Sequence, residues 1–533
     1  MNIILVGLKS LAFALVSSFI YPLACYFVDR KKLRRFPSPS VAAFTWLWLV
    51  YQSSTGQRFK TIDAVHKKLG KVVRIAPNHV SFSDPRAYKD IYGHGSPILK
   101  DDFYLHVADA IPSISQTTSR AEHTRKRKAL SHAFSAREIA AMEPRVVVMI
   151  QKLCRNLHLK SEGRQVSDTD AHPTVDGVFD VRPWLNMFSY DAITAMFWSN
   201  PYGFLDKGND LCPSMSSSGK VKQVHAMDSF HSGSRFNVMF GPIPLVWNKL
   251  AKRLLAYTHN RQAGISFGGM ARYQVAKRLV EPPLEPDLFS HLPLTPSAKW
   301  PTPMPLEELI AESATMLDAG NDTTQTSLTS CTFHLARNPA KQQKLHAILT
   351  QTTSAADPSK PVVLYSEQLQ QIQYLRAVLD ENFRCKPPVS IGLPRRTTAG
   401  ATIAGHFIPP GITVSVPLYT LHHDENLFTD AWDFIPERWL AEDDDNRGGW
   451  VTSRQEAKNL KDFVLPFSLG GRACIGRNLA YMELSMVIAA LVLGFEWELA
   501  VPDSEMEMVE RFNCNPKGLM VRAKVRPGVN WAS

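Results

Sequence analysis

No C-x-x-C pair occurs in this chain, and its seven cysteines, at positions 25, 154, 212, 331, 385, 474 and 514, are scattered and odd in number. This excludes a disulfide framework and the ligand spacing of a structural zinc site, and it suits a reducing compartment. No stretch repeats at a fixed period. There is no glycine-rich phosphate loop and no dinucleotide-binding glycine fingerprint. The chain therefore has no nicotinamide or flavin site of its own, and any electrons it uses come from elsewhere. Charged residues make up only 20% of the 533 residues against 44% hydrophobic, a globular balance with ample length for a large core. The formal charge of +11 is spread along the chain apart from one run near the N-terminus. That argues against nucleic-acid binding and for a basic docking face towards an acidic partner, with a membrane-surface patch.

What is present begins with an address. Leu11–Val28 is an apolar run of 18 residues without a charge, about 27 Å long as a helix and enough to span a thin bilayer. Asp29-Arg30-Lys31-Lys32-Leu33-Arg34-Arg35 follows directly. A secretory signal carries its charges before the apolar run, so a retained anchor is expected, with a cleaved signal as the alternative. The positive-inside rule puts the remainder on the cytosolic side. Residues 1–35 thus read as a membrane anchor and basic linker, and residues 36–533 as one folded domain.

In that domain Lys71–Ile75 and Val80–Phe82 have the alternation of a strand pair, and Asp84-Pro85 starts a helix as an N-cap and proline do. Asp102–Ser119 lacks periodicity. Glu122–Phe134 is helical and basic, with His123 and Arg127 on one face and Arg125, Lys126 and Lys128 pointing elsewhere. Lys160–Pro173 and Pro213–Lys220 read as loops and Val181–Phe197 as an amphipathic helix. Phe230–Leu255 is a lid or a core segment. Leu306–Arg337 is the longest helical pattern, ended by Asn338-Pro339. Its middle, Ala319-Gly320-Asn321-Asp322-Thr323-Thr324, is weak, since Gly in a helix costs about 1 kcal/mol and Thr hydroxyls bond back to the i−4 carbonyl. Tyr374–Arg384 is helical with Glu381 and Arg384 facing each other. Strands are expected within Val389–Thr398 and at Thr402–Ile408, Thr413–Pro417 and Val521–Val525, and Ala441–Gly449 is an acidic loop.

The stretch Pro466–Glu483 organises the rest. Cys474 stands in a glycine-rich loop just ahead of an apolar helix, Asn478 to Leu493. Gly470 and Gly471 allow unusual φ values and close approach to a flat partner, and Gly476 clears a second side of the sulfur. N–H groups at a helix start favour a thiolate. A thiolate in a shielded loop suits a haem iron, whereas the plain alternative is a buried structural cysteine.

Phe467, Gly470, Arg472, Cys474 and Gly476 fill the pattern F-x-x-G-x-R-x-C-x-G. This resembles the haem-binding loop of the cytochrome P450 family. Ala319–Thr324 is similar to that family's oxygen-binding helix, and Glu381, Arg384 and Pro436-Glu437-Arg438-Trp439 follow in its order. The resemblance covers residues 36–533. Within the family, segments such as Val73-Arg74-Ile75-Ala76-Pro77 and Arg120–Lys128 look most like fungal benzoate para-hydroxylases, while Met227–Pro242, Cys385–Ile391 and Asn321 depart from them.

The resemblance implies a mainly α fold, a triangular helical prism with a small β-rich lobe, after one N-terminal transmembrane helix. It implies haem b with iron on Cys474, with Phe467 and Arg472 of the same loop among the cofactor-binding residues. His123, Arg127 and Arg395 (Arg396 being the alternative) would meet the haem carboxylates. Thr323 would hold the distal hydrogen bond and Asp322 would relay protons, and Glu381, Arg384 and Arg438 would form a buried charge triad. The implied enzyme is a monooxygenase of the endoplasmic reticulum membrane, single-pass with a cytosolic catalytic domain. It would use O2, a small hydrophobic or aromatic substrate, and electrons from NADPH-cytochrome P450 reductase, met by the basic face near Arg125. Secondary-metabolite biosynthesis is the leading role and benzoate para-hydroxylation the alternative. A haem-thiolate isomerase or dehydratase, a non-enzymatic haem protein and a basic peripheral membrane protein without haem are the competing readings.

Overall fold

A 32-residue helix, Leu306–Arg337, crosses the middle of the molecule, and most of its residues from Leu309 onward are buried. The structure, a computed structural model, describes residues 20–108, 111–353, 363–440, 454–529 and 531. Around the central helix lie Arg120–Leu130 (α1), Ala136–Ser161 (α2), Arg182–Trp198 (α3), Ala226–Phe240 (α4), Gln373–Cys385 (α6) and Arg477–Gly494 (α7), the central helix itself being α5. α5 packs on α3, α6 and α7 within one large apolar core that includes Trp184, Phe188, Leu317, Leu328, Phe383 and Val487. α3 is buried at every position after Arg182, so it is a wholly interior helix and not the amphipathic one expected.

The smaller lobe is a five-stranded sheet. Val72–Ala76 (β1), His79–Phe82 (β2), Ile98–Lys100 (β3), Arg395–Thr397 (β4) and Thr413–Ser415 (β5) lie in the order β1-β2-β5-β4-β3. Only β2 and β5 run parallel; the other neighbours are antiparallel. Leu33 and Phe36 are buried in this lobe's core with Val80, Phe82 and Val414. Phe495–Leu499 (β6) and Met520–Val525 (β9) pair antiparallel, and Met508–Arg511 (β7) and Asn513–Pro516 (β8) form a tight hairpin turning at Phe512, φ 89°. The architecture is the mainly helical body with a small β-rich lobe that the sequence implied.

Local differences have local causes. Pro213–Lys220 is not all loop: Leu211–Met215 pairs with Val221–His225 and only the Ser216–Lys220 turn is irregular. Thr402–Ile408 splits into two short strands at Ala404-Gly405, both with positive φ. The Asp102–Ser119 stretch holds one short helix, Phe103–Val107. α5 is continuous through Gly320, whose added Cβ would sit 2.7 Å from Ile193, so packing against α3 sets the glycine. The 441–449 loop lies outside the described residues, as does the first half of the expected membrane span. Its described end, Tyr21–Val28, is a helix with Tyr21, Leu23, Phe27 and Val28 exposed. Among the described residues one helix, α7, is long and apolar enough to cross a membrane, but 67% of it is buried inside the protein.

The charge triad forms. Glu381 is fully buried and accepts five hydrogen bonds: from Arg384 Nε and Nη2, both 2.9 Å, Arg438 Nε at 3.1 Å, Trp439 Nε1 at 3.0 Å and Ile435 N at 2.8 Å. Burial raises its carboxyl, but the two guanidiniums and these donors prevail and hold it below the ordinary value. A group depressed in this way stabilises the fold above its unfolded pKa, and that stability fades as pH falls through its folded value. Removing one partner of a buried pair costs about 3–5 kcal/mol. Glu381→Ala is therefore expected to lower the chemical-denaturation midpoint of the protein severely, with a gap to wild type that narrows in acid.

Candidate active site

The cysteine loop leaves α6 and α7 through an aromatic anchor. Phe467 packs on Phe383 at 5.4 Å and on Tyr481 at 5.1 Å between ring centres. Cys474 N donates to Phe467 O at 2.8 Å, closing the loop over the Gly470–Arg472 turn. Gly470 has φ 69°, and a Cβ there would stand 2.5 Å from Tyr92 O. Its freedom thus serves packing against the end of the Pro85–Tyr92 helix. Gly476 lies beside the sulfur, its added Cβ 3.9 Å from Cys474 Sγ.

Cys474 carries accessible surface, although it sits deep in the fold. The surface it shows is that of an internal hollow. Burial pushes its thiol up, against the Gly476 N–H, Arg127 and Arg477, which lower it. The helix start alone does not hold a thiolate here, contrary to expectation. A bound iron would do so, because a coordinating thiol is deprotonated outright.

Cations crowd the same region. Arg395 is buried, stacked over Tyr92 at 5.0 Å, and donates to Tyr104 Oη at 3.2 Å. Arg472 donates to Thr117 O at 2.7 Å and Ser119 O at 3.2 Å. Arg127 donates to Ala473 O at 2.6 Å, and Lys100 to Ser115 O. Every one of these partners is a neutral oxygen. Desolvation and Arg395 bring Arg472 down to about 10, and desolvation with Arg395 and Arg472 holds Lys100 well below its usual value. His123 is buried and brought to about 4 by desolvation, then by Arg472, Lys100 and Arg127. Among the described residues no carboxylate pairs with Arg127, Arg395, Arg472 or Lys100. Such a set matches a ligand bearing carboxylates, and with the exposed sulfur it matches the donor set for haem.

Arg396 is not part of it: Arg396 pairs with Asp102 and is partly exposed. Arg125 and Lys126 do not form the expected docking face either. Lys126 is buried between Glu308 at 2.6 Å and Glu312 at 2.8 Å, and Arg125 reaches Glu122 and Glu308. Of the three only Lys128 stays exposed. The i+1 position on a helix that lies against α5 turns inward, where two glutamates from α5 meet it.

On α5 the Thr323 hydroxyl donates to Ala319 O at 2.9 Å, and both residues show surface in mid-helix, with Asn321, Asp322 and Thr324 buried. Asp322 points the other way. It is buried and accepts from Asn513 Nδ2 and Asn515 Nδ2, each at 2.8 Å, and from His231 Nε2 at 3.2 Å. Burial alone would raise its carboxyl, but His231 and the two asparagines outweigh this and hold it low. Arg182 approaches the His231 ring at 3.4 Å.

The family model described as Cytochrome P450 matches residues 37–523. The chain belongs to the cytochrome P450 family. It is 35% identical over 516 residues to "Benzoate 4-monooxygenase bphA" of Aspergillus niger, covering 94% of this chain and 95% of that protein. It is 30% identical to "Cytochrome P450 monooxygenase traB" of Penicillium crustosum, over 89% of this chain and 88% of the relative, and 27% identical to "Cytochrome P450 monooxygenase poxM" of Penicillium oxalicum, over 93% and 90%. This P450 is a haem-thiolate monooxygenase, an oxidoreductase that uses O2, a redox partner and a small organic substrate.

Sequence reasoning missed Lys100, Tyr92 and Tyr104 in the cation cluster, and His231, Asn513 and Asn515 around Asp322. The alternation Asn513-Cys514-Asn515 is a signal for two polar side chains on one strand face, but nothing in it names their partner. Charge-assisted hydrogen bonds are worth about 1.5–3 kcal/mol, or roughly ten- to a hundredfold. Arg395→Ala and Arg472→Ala are therefore expected to speed haem loss to apomyoglobin by about that factor, while Arg396→Ala leaves it unchanged.

Proposed function

We propose that this P450 is a membrane-anchored monooxygenase that oxidises a small hydrophobic organic molecule in fungal secondary metabolism, with electrons from NADPH-cytochrome P450 reductase. The observation that carries the substrate class is a mostly apolar pocket lined by Trp46, Leu49, Phe59, Phe103, Pro242 and Phe512, with Arg58, His79 and Asp101 as its charged or titratable members. It runs between the small lobe and the segment after α4, and it is closed on one side by the Phe103–Phe512 stack at 6.0 Å. Supporting the anchor, the exposed apolar face of Tyr21–Val28 leads straight into the basic linker. The endoplasmic reticulum, single-pass, with the catalytic domain in the cytosol, is the location this orientation favours.

Haem held by Cys474 supplies the dioxygen-splitting, oxygen-inserting chemistry. Arg127, Arg395 and Arg472 hold its carboxylates, with His123 beside them, and Phe467 keeps water from the sulfur. The Thr323 hydroxyl commits its proton to Ala319 O and presents its lone pairs to the hollow. Asp322, next to Thr323 and held by His231 Nε2, Asn513 and Asn515, would relay protons from water towards the oxygen side. On the opposite face Lys461 and Arg477 are exposed in a cleft with Phe467 and Tyr481, and they suit an acidic reductase surface.

A reduced-CO spectrum typical of thiolate-ligated haem, lost in Cys474→Ser, tests the reading at its root. Asp322→Asn is expected to cut turnover about a hundredfold while the substrate-induced Soret shift persists. Lys461→Glu with Arg477→Glu should raise the reductase concentration needed for half-maximal turnover, most strongly at low salt. The identity to a relative named benzoate 4-monooxygenase favours benzoate as a second reading. A Soret shift on adding benzoate supports it, and none at millimolar concentration discards it.

A further inference from the structure

Three side chains able to ligate a metal converge outside the haem site, on the surface where α1 turns into α2. His132 lies in the turn between the two helices, Glu138 stands in the first turn of α2, and His291 ends the short helical turn Leu288–His291. Each offers one ligand atom, and the three atoms lie within 4.8 Å of one another. Among the described residues no other three His, Cys, Asp or Glu side chains meet in this way. The His291 ring stands between the other two. Its Nδ1 is 3.2 Å from His132 Nδ1, and its Nε2 is 3.2 Å from Glu138 Oε2. The two imidazole rings are tilted by 37° with their centres 4.9 Å apart.

The backbone under each of these side chains is fixed separately. His132 is followed by Ala133 and Phe134, both buried, and the Phe134 ring lies 4.0 Å from where a Cβ on Gly476 of the cysteine loop would stand. Glu138 follows the N-cap Ser135, whose hydroxyl accepts from Glu138 N. His291 is steadied by Asp287, which is wholly buried. Asp287 accepts from Ser290 N at 2.9 Å and from Arg278 Nε and Nη2 at 2.7 and 3.0 Å. Leu288 and Phe289 of the same turn are fully buried. Groups held on rigid segments lose little further freedom when they take a shared ligand. His132 is exposed and the other two are half-buried, so an ion reaches them from solvent and water can fill its remaining positions.

Two imidazoles and a carboxylate are a donor set for zinc, with bonds of about 2.0–2.2 Å. Ligand atoms around a tetrahedral zinc then stand roughly 3.3 Å apart. The 3.2 Å approaches on either side of the His291 ring already have that spacing. The full span of 4.8 Å leaves about 1.5 Å to close, which a turn of the exposed His132 ring supplies. Mg2+ and Ca2+ prefer oxygen ligands throughout and fit this set poorly.

We propose that His132, Glu138 and His291 form a binding site for a divalent transition metal, zinc by its donor set, with water completing the coordination. The bound ion pins the α1–α2 turn, and with it Phe134 beside the cysteine loop, to the Leu288–His291 segment. The site is separate from the haem iron and depends on neither the substrate nor the monooxygenase reading.

The test uses the full-length holoenzyme, cleared of loose metal with a chelator. Its thiolate-type CO spectrum is recorded before and after zinc, so that damage at Cys474 is seen separately. Equilibrium dialysis against ZnCl2, with the metal counted by atomic absorption, is expected to give one tight Zn2+ per haem with a micromolar Kd. At about a hundredfold excess over that Kd the thermal midpoint should rise by a few degrees, and MgCl2 should do neither. His132→Ala and His291→Ala are each expected to weaken zinc binding by at least about tenfold, and Glu138→Gln by about ten- to a hundredfold. His132 is exposed, so its variant keeps the fold, and every variant is first shown to keep the CO spectrum. His158→Ala is the control. It breaks a His158–Glu162 pair of the same 3.2 Å spacing that has no third ligand beside it, and it should bind zinc as wild type does. No stoichiometric zinc in wild type leaves the trio a plain hydrogen-bonded chain and overturns the proposal. So does zinc binding that survives unchanged in His132→Ala and His291→Ala, or that is lost equally in His158→Ala.

Discussion

A single carboxylate with no access to water, that of Glu381, ties together the parts of this molecule that hold its reactive centre. Its five donors come from α6 itself and from the Ile435–Trp439 segment. Arg384 also donates to His422 O at 2.9 Å and Ala431 O at 2.6 Å, so the same knot fixes two loops. Two residues along α6, Phe383 packs on Phe467, the first residue of the cysteine loop. Position is thereby passed from a fully satisfied ion cluster, through an aromatic contact, to the sulfur. A cluster of this kind is costly unless every lone pair is met, and here every one is.

The cations beside Cys474 follow the opposite rule. Arg395, Arg472 and Lys100 repel one another and find only neutral oxygens among the described residues. Packing alone gives no reason to gather them. A partner that brings its own negative charge does, and the carboxylates of a haem would fit them. The protein thus uses one arrangement of Arg and Glu to be stable and a second, lacking its acids, to bind. Distinguishing the two requires counting which acids lie within reach, not which cations are present.

The same contrast recurs on α5 between Asp322 and Asp318. Both are aspartates on one helix, separated by a single turn. Asp322 is held low by three donors from two other elements, while burial and then the charge of Asp322 push Asp318 up. Their surroundings differ because α4 and the β7–β8 hairpin supply donors to Asp322 and, among the described residues, none to Asp318.

Much of this was legible in the chain. Leu306–Arg337 ends at the residues the pattern marked, because a proline after Asn338 and a polar-to-apolar period of 3.6 act locally. The cysteine loop, the N-cap Asp84 and the β1–β2 pair were likewise local features. Cys474, Arg472, Phe467 and Thr323 could be named from spacing and resemblance because a motif is contiguous. What the chain could not tell was which charges meet. Lys126 differs from Arg127 by one position, yet one is buried on Glu308 and Glu312 and the other donates into the haem loop. Arg395 and Arg396 are adjacent on a strand, whose alternation sends one inward and the other to Asp102. The sequence by itself determined the family, the cysteine motif and the order of the elements, since these are written in contiguous residues. Only the tertiary structure decided which ionisable groups are paired, orphaned or left protonated, because Coulomb and desolvation energies depend on neighbours brought from hundreds of residues away.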